Sequence, residues 1–265
     1  LTVKESGGRD LDNRAKLLCM DNLSLFDVQP SISEEERIMC GRFIQIIDPE
    51  QIEVGFSELE VDEEALSHFT QSYNVTPTKD ILTVINTPTP RLTLTRWGLI
   101  PYWAKDKNIG NRLINARAET LTQKPSFKEP LKRTRCIIPA MGFYEWDTAN
   151  KTRTPYLIKL KSGKPIVFAG LWDRWRDKET GNTIISSTII TTEANSLIKK
   201  IHDRMPAILS PDCFKSWLSS QREEEAALLN CLKPYPAEEM EAYEVSKLVN
   251  DPRNDSPEIM EHVLR

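Results

Sequence analysis

From Cys40 onward, apolar positions come in short runs bounded by proline, glycine or charge, a pattern of strands and short helices and not of a helical bundle. Strands are predicted over Ile81–Asn86, Leu92–Trp97, Cys136–Pro139, Tyr156–Leu160, Ile166–Leu171, Ile184–Thr192 and Ala242–Val245. Two pairs read as hairpins: Thr87-Pro88-Thr89-Pro90 joins the first two strands, and Lys161-Ser162-Gly163-Lys164 joins Tyr156–Leu160 to Ile166–Leu171. Helices are predicted over Pro49–Leu59, Glu193–Ile201, Pro211–Leu218 and Glu223–Leu232, the third capped by Ser210 with Pro211 following. There is no parallel β-α-β rhythm and no internal repeat. The pattern predicts a single α+β domain, rich in antiparallel strands, with helices on its outside.

Residues 1–39 carry too little apolar periodicity to form a core. They are expected to be an N-terminal extension, flexible or absent from the mature protein, ahead of a domain at 40–258 and a short tail at 259–265. The 265-residue length suits one large domain or two small ones, and 39% hydrophobic with 28% charged residues is an ordinary globular composition. No apolar run approaches the roughly 20 residues of a membrane span, and Leu1 to Asp12 lacks the apolar core of a secretory signal. Membrane attachment is therefore not expected. Five cysteines, with no Cys-x-x-Cys pair, argue against a disulfide framework and against zinc. Cys19, Cys136, Cys213 and Cys231 are expected to be buried and inert, in a reducing cytoplasmic compartment.

The net charge of -4 argues against a non-specific nucleic-acid coat, but its distribution changes the picture. Acidic residues cluster at Glu34–Glu36, Glu58–Glu64, Glu223–Glu225 and Glu238–Glu241. The stretch from Arg91 to Arg135 is basic, with Tyr102, Trp103 and Phe127 interleaved. Such a segment supplies phosphate contacts and base stacking together, or forms a solvated surface over core tryptophans.

Candidate chemistry begins at Cys40-Gly41-Arg42-Phe43, directly after Met39. A chain trimmed to start at Cys40 would carry a 1,2-aminothiol, amine pKa about 8 and thiol pKa about 8.5. Its amine can condense with an aldehyde, and its thiol can then close a thiazolidine. An internal cysteine cannot, because its nitrogen is held in a peptide bond. Five further segments follow in order: Tyr73-Asn74-Val75-Thr76-Pro77, Arg96 to Trp103, Asn115 to Thr120, Gly142-Phe143-Tyr144-Glu145-Trp146, and Ile201 to Pro206. With a closing Val245 to Asn250, this array resembles the SOS-response-associated peptidase (SRAP) family, which includes proteins that crosslink to abasic sites in DNA.

The resemblance implies a barrel-like α+β domain, single-stranded DNA with abasic sites as partner, no metal and no cofactor, and a monomer. It implies Cys40 as nucleophile and Glu145, His202 and Asn115 as catalytic residues, with Arg42, Asn74, Tyr102, Trp103 and Arg117 around the DNA. Family members can carry two tryptophans where this chain has Tyr102-Trp103. On residues alone, Glu145 between Tyr144 and Trp146 is a desolvated carboxylate suited to proton transfer or a strand-end surface group. His202 is an acid-base group or a structural histidine, and Asn115 orients Cys40 or fills a turn. Arg117 shares a strand face with Asn115 at i+2, and Arg42 bears the same relation to Cys40; both guanidiniums suit phosphate. Two other readings stay open: a cysteine-dependent peptidase or amidohydrolase using Cys40 and His202 with Glu145 or Asn115, and a non-catalytic single-strand-binding module.

Overall fold

The computed structural model describes residues 40–49, 52, 58–147 and 153–263; the extension at 1–39 and most of the helix expected at Pro49–Leu59 lie outside them. The strands, in chain order, are β1 (Arg42–Gln45), β2 (Glu60–Val61), β3 (Ser72–Val75), β4 (Asp80–Ile85), β5 (Arg91–Trp97), β6 (Asn115–Arg117), β7 (Arg135–Ala140), β8 (Gly142–Asp147), β9 (Thr154–Leu160), β10 (Ile166–Arg176), β11 (Thr183–Glu193), β12 (Arg204–Pro206) and β13 (Met240–Glu244). The helices are α1 (Glu63–Leu66), α2 (Pro125–Arg133), α3 (Pro211–Leu218) and α4 (Glu225–Asn230).

Five strands close a ring. β11 pairs with β10, β10 with β7, β7 with β4 and β4 with β5, all antiparallel, and β5 returns to β11 through a short parallel contact. Closure leaves these strands without a long free edge. Beside the ring lies a five-stranded antiparallel sheet in the order β13-β9-β8-β1-β3. Sheet and ring meet through aromatic side chains: Phe43 stands edge-on to Trp97 at 5.1 Å and to Phe168 at 5.9 Å, and Phe143 to Phe168 at 6.0 Å. Such pairs add about 0.5–1.5 kcal/mol each beyond the area they bury.

Two polar devices fix the layers. Gln45 of β1 is buried and clamps the ring: its Nε2 donates to the carbonyls of Leu82 and Pro139, and its Oε1 accepts the Leu82 amide. Arg135 is fully buried and, among the described residues, forms no ion pair with a carboxylate within 4 Å. Its guanidinium donates to the carbonyls of Leu131 and Lys132 at the end of α2, and of Trp217 and Ser219 at the end of α3. One cation thus serves the negative ends of two helices. α2, α3 and α4 cover one face of the ring through Phe127, Leu131, Trp217 and Leu228.

On the outer face of the sheet, Ile44, Tyr144 and Leu157 pack under Val245, Val249 and Ile259. Ile259 is buried and His262 pairs with Val245, so the packed structure runs past residue 258. Among the described residues no helix is long and apolar enough to cross a membrane.

Several expectations need correcting. The Thr87–Pro90 hairpin forms, but β9 and β10 do not pair: β9 belongs to the sheet and β10 to the ring. The Lys161–Lys164 connection passes the chain from one layer to the other. In place of a helix at Glu193–Ile201, β11 runs to Glu193 and only Ile198–Lys200 turns helically. Ser210 occupies the cap position of α3 without a capping side-chain bond. Cys213 of α3 and Cys231 after α4 are disulfide-bonded and not free. Spacing alone could not reveal this pair, which depends on how α3 and α4 pack. Cross-linking an 18-residue separation contributes roughly 3 kcal/mol by loop entropy, so Cys213→Ser with Cys231→Ser should lower stability by about that amount in denaturant titrations. An unchanged midpoint would mean that the two helices hold each other without the bond.

Candidate active site

The register of β1 against β8 places the first candidates. Arg42 stands opposite Tyr144 and Phe43 opposite Phe143, so Cys40, just ahead of β1, meets the end of β8 that carries Glu145. The Cys40 backbone N–H donates to Glu145 Oε1 at 2.8 Å, and the thiol bonds the same carboxylate. Both residues are sealed from solvent, Cys40 at 3% exposure and Glu145 at 1%. Burial pushes the Glu145 carboxyl up from its ordinary range, while the bonds from Cys40 pull it back in part. Burial, reinforced by the charge of Glu145, also pushes the Cys40 thiol well up. This carboxyl is disposed to hold and release a proton nearer neutrality than an ordinary glutamate, and the thiol keeps its own.

The burial of Glu145 has a different source from the one its neighbours suggest. Tyr144 and Trp146 face the outer cluster, whereas Phe143, on the same strand face as Glu145, packs between sheet and ring. The ring therefore does the desolvating. Cys40 itself has φ 43, in the left-handed region, and the turn breaks the strand alternation. As a result Cys40 looks inward to Glu145 while Arg42 lies over the outward-facing Trp146 ring at 6.0 Å; the shared face expected for Cys40 and Arg42 does not form.

His202 follows the turn at Ile198–Lys200, and its amide donates to the Ile198 carbonyl. Its Nδ1 accepts the Arg204 amide at 3.0 Å, which leaves the ring proton on Nε2. Asp203 Oδ1 also lies 3.0 Å from Nδ1, but a neutral ring cannot serve both. The amide is the fixed partner, since Asp203 is exposed and water solvates it equally well. Arg204 is nearly buried and grips Glu119 with both terminal nitrogens, at 2.7 and 3.0 Å, and the Thr191 carbonyl at 2.7 Å. Partial burial opposes ionisation of Glu119, but the Arg204 bonds outweigh it and hold this carboxyl below its usual range. The Arg204–Glu119 pair joins two of the segments singled out above, and nothing in their spacing announced it.

Asn115 and Arg117 lie on β6, which runs parallel to β11 with Asn115 opposite Ile189 and Arg117 opposite Thr191. Both are half-buried around a fully buried Ala116, so the expected i, i+2 sharing of a face holds. β12, carrying Arg204, pairs with the same end of β11. Asn74 is buried, with its amide committed to the carbonyls of Val249, Asp251 and Asn254 and its oxygen to Arg42. It is not available to a phosphate and instead aims Arg42, which also donates to the Val249 and Asn250 carbonyls. Asp255 completes this fastening by accepting the amides of Tyr73 and Asn74.

Tyr102 and Trp103 occupy the middle of a turn closed by the Ala104 amide on the Pro101 carbonyl. They are 66% and 47% exposed. Below them, Asp173 accepts the Tyr102 amide and Trp175 donates to the Ala104 carbonyl, so a rigid base presents two bare rings. The base depends on Gly98, at φ +125, where a Cβ would lie 2.6 Å from the Gly110 carbonyl oxygen. Among the described residues no hydrogen bond or ring contact links this turn to Cys40 and Glu145.

A cleft of ≈ 350 Å³ opens beside Cys40, lined by Gly41, Arg42, Pro77, Ile114, Trp146, Arg153 and Asn250. Pro77, Trp146 and Asn250 fall within quoted segments, and Asn250 Oδ1 accepts the Trp146 indole N–H at 2.7 Å. Arg153, directly ahead of β9, has no sequence signal at all.

The SOS response associated peptidase (SRAP) family model matches residues 39–252. "Abasic site processing protein YoqW" of Bacillus subtilis strain 168 is 49% identical over 225 residues, 84% of this chain and 99% of its own. "Abasic site processing protein HMCES" of Xenopus tropicalis is 34% identical over 191 residues, 64% of this chain and 56% of its own. Among solved structures, a protein from Bacteroides thetaiotaomicron superposes with a TM-score of 0.76 at 31% identity, covering 85% of this chain and 100% of that one.

Proposed function

The chain belongs to the SOS response associated peptidase (SRAP) family, and we propose that it captures abasic sites in single-stranded DNA covalently, through the nitrogen and sulfur of Cys40. The observation that carries this reading is the buried Glu145 carboxyl, with its raised pKa, 2.8 Å from the Cys40 nitrogen and bonded to the thiol. Once the peptide bond before Cys40 is cut, by the protein itself or by another agent, that nitrogen is an amine beside an acid-base group.

An abasic sugar interconverts between a closed hemiacetal and an open aldehyde. The amine lone pair forms a C–N bond to the aldehyde carbon. One amine proton passes to the oxygen, Glu145 delivers a second so that the oxygen leaves as water, and the carboxylate recovers the remaining amine proton, so the product is an imine. The thiol then adds across the C=N bond: sulfur bonds to carbon and its proton ends on nitrogen. Aldehyde plus aminothiol has become thiazolidine plus one water. His202, with Nε2 carrying its proton, is the second proton carrier, and Asn115 orients the reacting atoms. Arg42 and Arg117 take phosphates, while Tyr102 and Trp103 stack on bases, each worth about 1–3 kcal/mol.

A peptidase reading needs a thiolate paired with an imidazole. Here the thiol is bonded to a carboxylate and its pKa is raised, and His202 Nδ1 is bonded to a backbone amide. This arrangement favours amine-first chemistry. The test uses protein starting at Cys40 and two single-stranded oligonucleotides, one with an abasic site and one with its aldehyde-free tetrahydrofuran analogue. A complex that survives denaturation is expected with the first only. Equal, purely non-covalent retention of both would leave a binding module, and peptide cleavage without any adduct would leave a peptidase.

A further inference from the structure

Neutral His202 is held in a form that neither gives nor takes a proton at Nε2. Its Nδ1 accepts the Arg204 amide at 3.0 Å, so the imidazole keeps its proton on Nε2. That nitrogen then has no lone pair with which to accept a proton, and losing the one it holds would leave an anion. Transfer at Nε2 therefore requires a proton on Nδ1. The Arg204 amide cannot follow Nδ1 into that state, because two N–H groups do not bond each other. Asp203 can. Its Oδ1 also lies 3.0 Å from Nδ1, and a carboxylate is the natural acceptor for an imidazolium. One nitrogen thus has two partners, one for each protonation state.

The surroundings fit such an exchange. The Asp203 side chain is 83% exposed and that of His202 only 19%, so the carboxylate can adjust while the imidazole stays in place. The Asp203 carbonyl accepts the Ala194 amide, and Arg204 is fastened to Glu119 and Thr191, which fixes the backbone on both sides of the carboxylate. The charged and titratable groups around the imidazole are Lys199 and Lys200 in the preceding turn, Asp203 and Arg204, Glu119 through Arg204, and the Cys40–Glu145 pair. Among the described residues, only Asp203 has its carboxylate in ion-pair range of His202. The charges of both Arg204 and Asp203 act on the Cys40 thiol, so this segment borders the reacting group.

We propose that Asp203 is the positioning residue of His202: it takes Nδ1 over from the Arg204 amide when the imidazole is protonated, and so makes Nε2 the working nitrogen. The inference rests on His202 as the second proton carrier of the proposed capture. The protons balance with water as the only other source. Neutral His202 takes a solvent proton on the Nδ1 lone pair, and the new Nδ1–H donates to Asp203. The imidazolium then gives its Nε2 proton to a sugar oxygen as that oxygen's bond to carbon breaks. What remains is a neutral imidazole with Nδ1–H on Asp203 and a lone pair on Nε2, ready to take a proton back from the sugar hydroxyl that becomes the aldehyde.

The experiment follows adduct formation against pH, with protein starting at Cys40 and saturating abasic oligonucleotide, so that changes in DNA affinity do not enter the rate. Asp203→Asn should slow the reaction roughly tenfold at neutral pH, the scale of one charge-assisted hydrogen bond. Its pH profile should move toward acid by about one unit. Asp203→Glu should recover part of the rate, since an exposed side chain has room for one more methylene. A second measurement needs no DNA. In NMR of the 265-residue chain, the His202 nitrogen resonances should place the proton on Nε2 at high pH, and the Arg204 amide proton should move as Nδ1 is protonated. Asp203→Asn should need about one pH unit more acid for the same change. An Asp203→Asn protein with the parental rate and profile would overturn the role, and so would an Arg204 amide that ignores protonation of the imidazole. A variant that loses rate and melting temperature together, with its pH profile unmoved, would make Asp203 structural and also overturn it. A parent that shows the exchange by NMR but forms no adduct would support the switch and overturn covalent capture instead.

Discussion

Protein that begins at Cys40 should convert an abasic single-stranded oligonucleotide into a denaturation-resistant adduct, and the 265-residue chain with its Met39–Cys40 bond intact should convert none. The difference is electronic. In the longer chain the Cys40 nitrogen lone pair is delocalised into the peptide carbonyl, and its N–H points to Glu145. Cutting the bond turns a poor nucleophile into an amine whose pKa is near neutrality. Start points must be verified by intact mass before the denaturing gel is run. Comparable yields from both verified proteins would eliminate the amine as nucleophile. Cys40→Ala with a free amine should stop at an imine, reversible on dilution and trapped by borohydride, because no thiol closes the ring.

Glu145→Gln is expected to slow adduct formation by roughly 10²–10⁴-fold, the range of a positioned acid-base group, with DNA affinity retained. Glutamine preserves the acceptor for the Cys40 nitrogen and removes only the titrating proton. Stability separates this role from a scaffold role. Because burial raises the Glu145 pKa in the folded 265-residue chain, the carboxyl's contribution is fully present below its unfolded pKa of about 4.3. It is lost as pH rises through the higher folded value, since the folded state then holds the extra proton. The substitution should remove that decline, and Glu145→Gln should melt no lower than the parent at neutral pH. A variant that melts early and loses binding in proportion would make Glu145 structural. Slow chemistry in an equally stable fold is the predicted outcome, an instance of function held at the expense of stability.

The longer strands were legible because one periodic pattern covers most of their length: β5, β10 and β11 contain the runs read from the sequence, and β4 holds all of its run but Asn86. The strands that escaped are the ones that carry the site. β1, β3, β6 and β12 are short, and β1, β8 and β12 are buried on both faces for most of their length, so no alternation marks them. Their polar positions also interrupt the apolar runs with Arg42, Asn74, Asn115, Glu145 and Arg204. Motif order found these residues where periodicity could not. Which of them touch was invisible: the role of Asn74 in aiming Arg42 and the grip of Arg204 on Glu119 join positions far apart in the chain. The raised pKa of Glu145 was foreseen but credited to its sequence neighbours, when strand alternation turns both of them away.

The fastening of Arg42 has a consequence for when the protein becomes competent. β1 is made early in synthesis, but the carbonyls that aim its arginine belong to Val249 and Asn250, and the segment that presents them is secured by Asn74 and Asp255. A nascent chain still short of residue 249 has every ring strand and Cys40, yet its Arg42 lacks the Val249 and Asn250 carbonyls and keeps only Asn74 of these three hydrogen-bond partners. The proposed phosphate contact at Arg42 is thus assembled from the two ends of the domain and completed last, so on that proposal a half-made chain on the ribosome would hold DNA less firmly than the finished one.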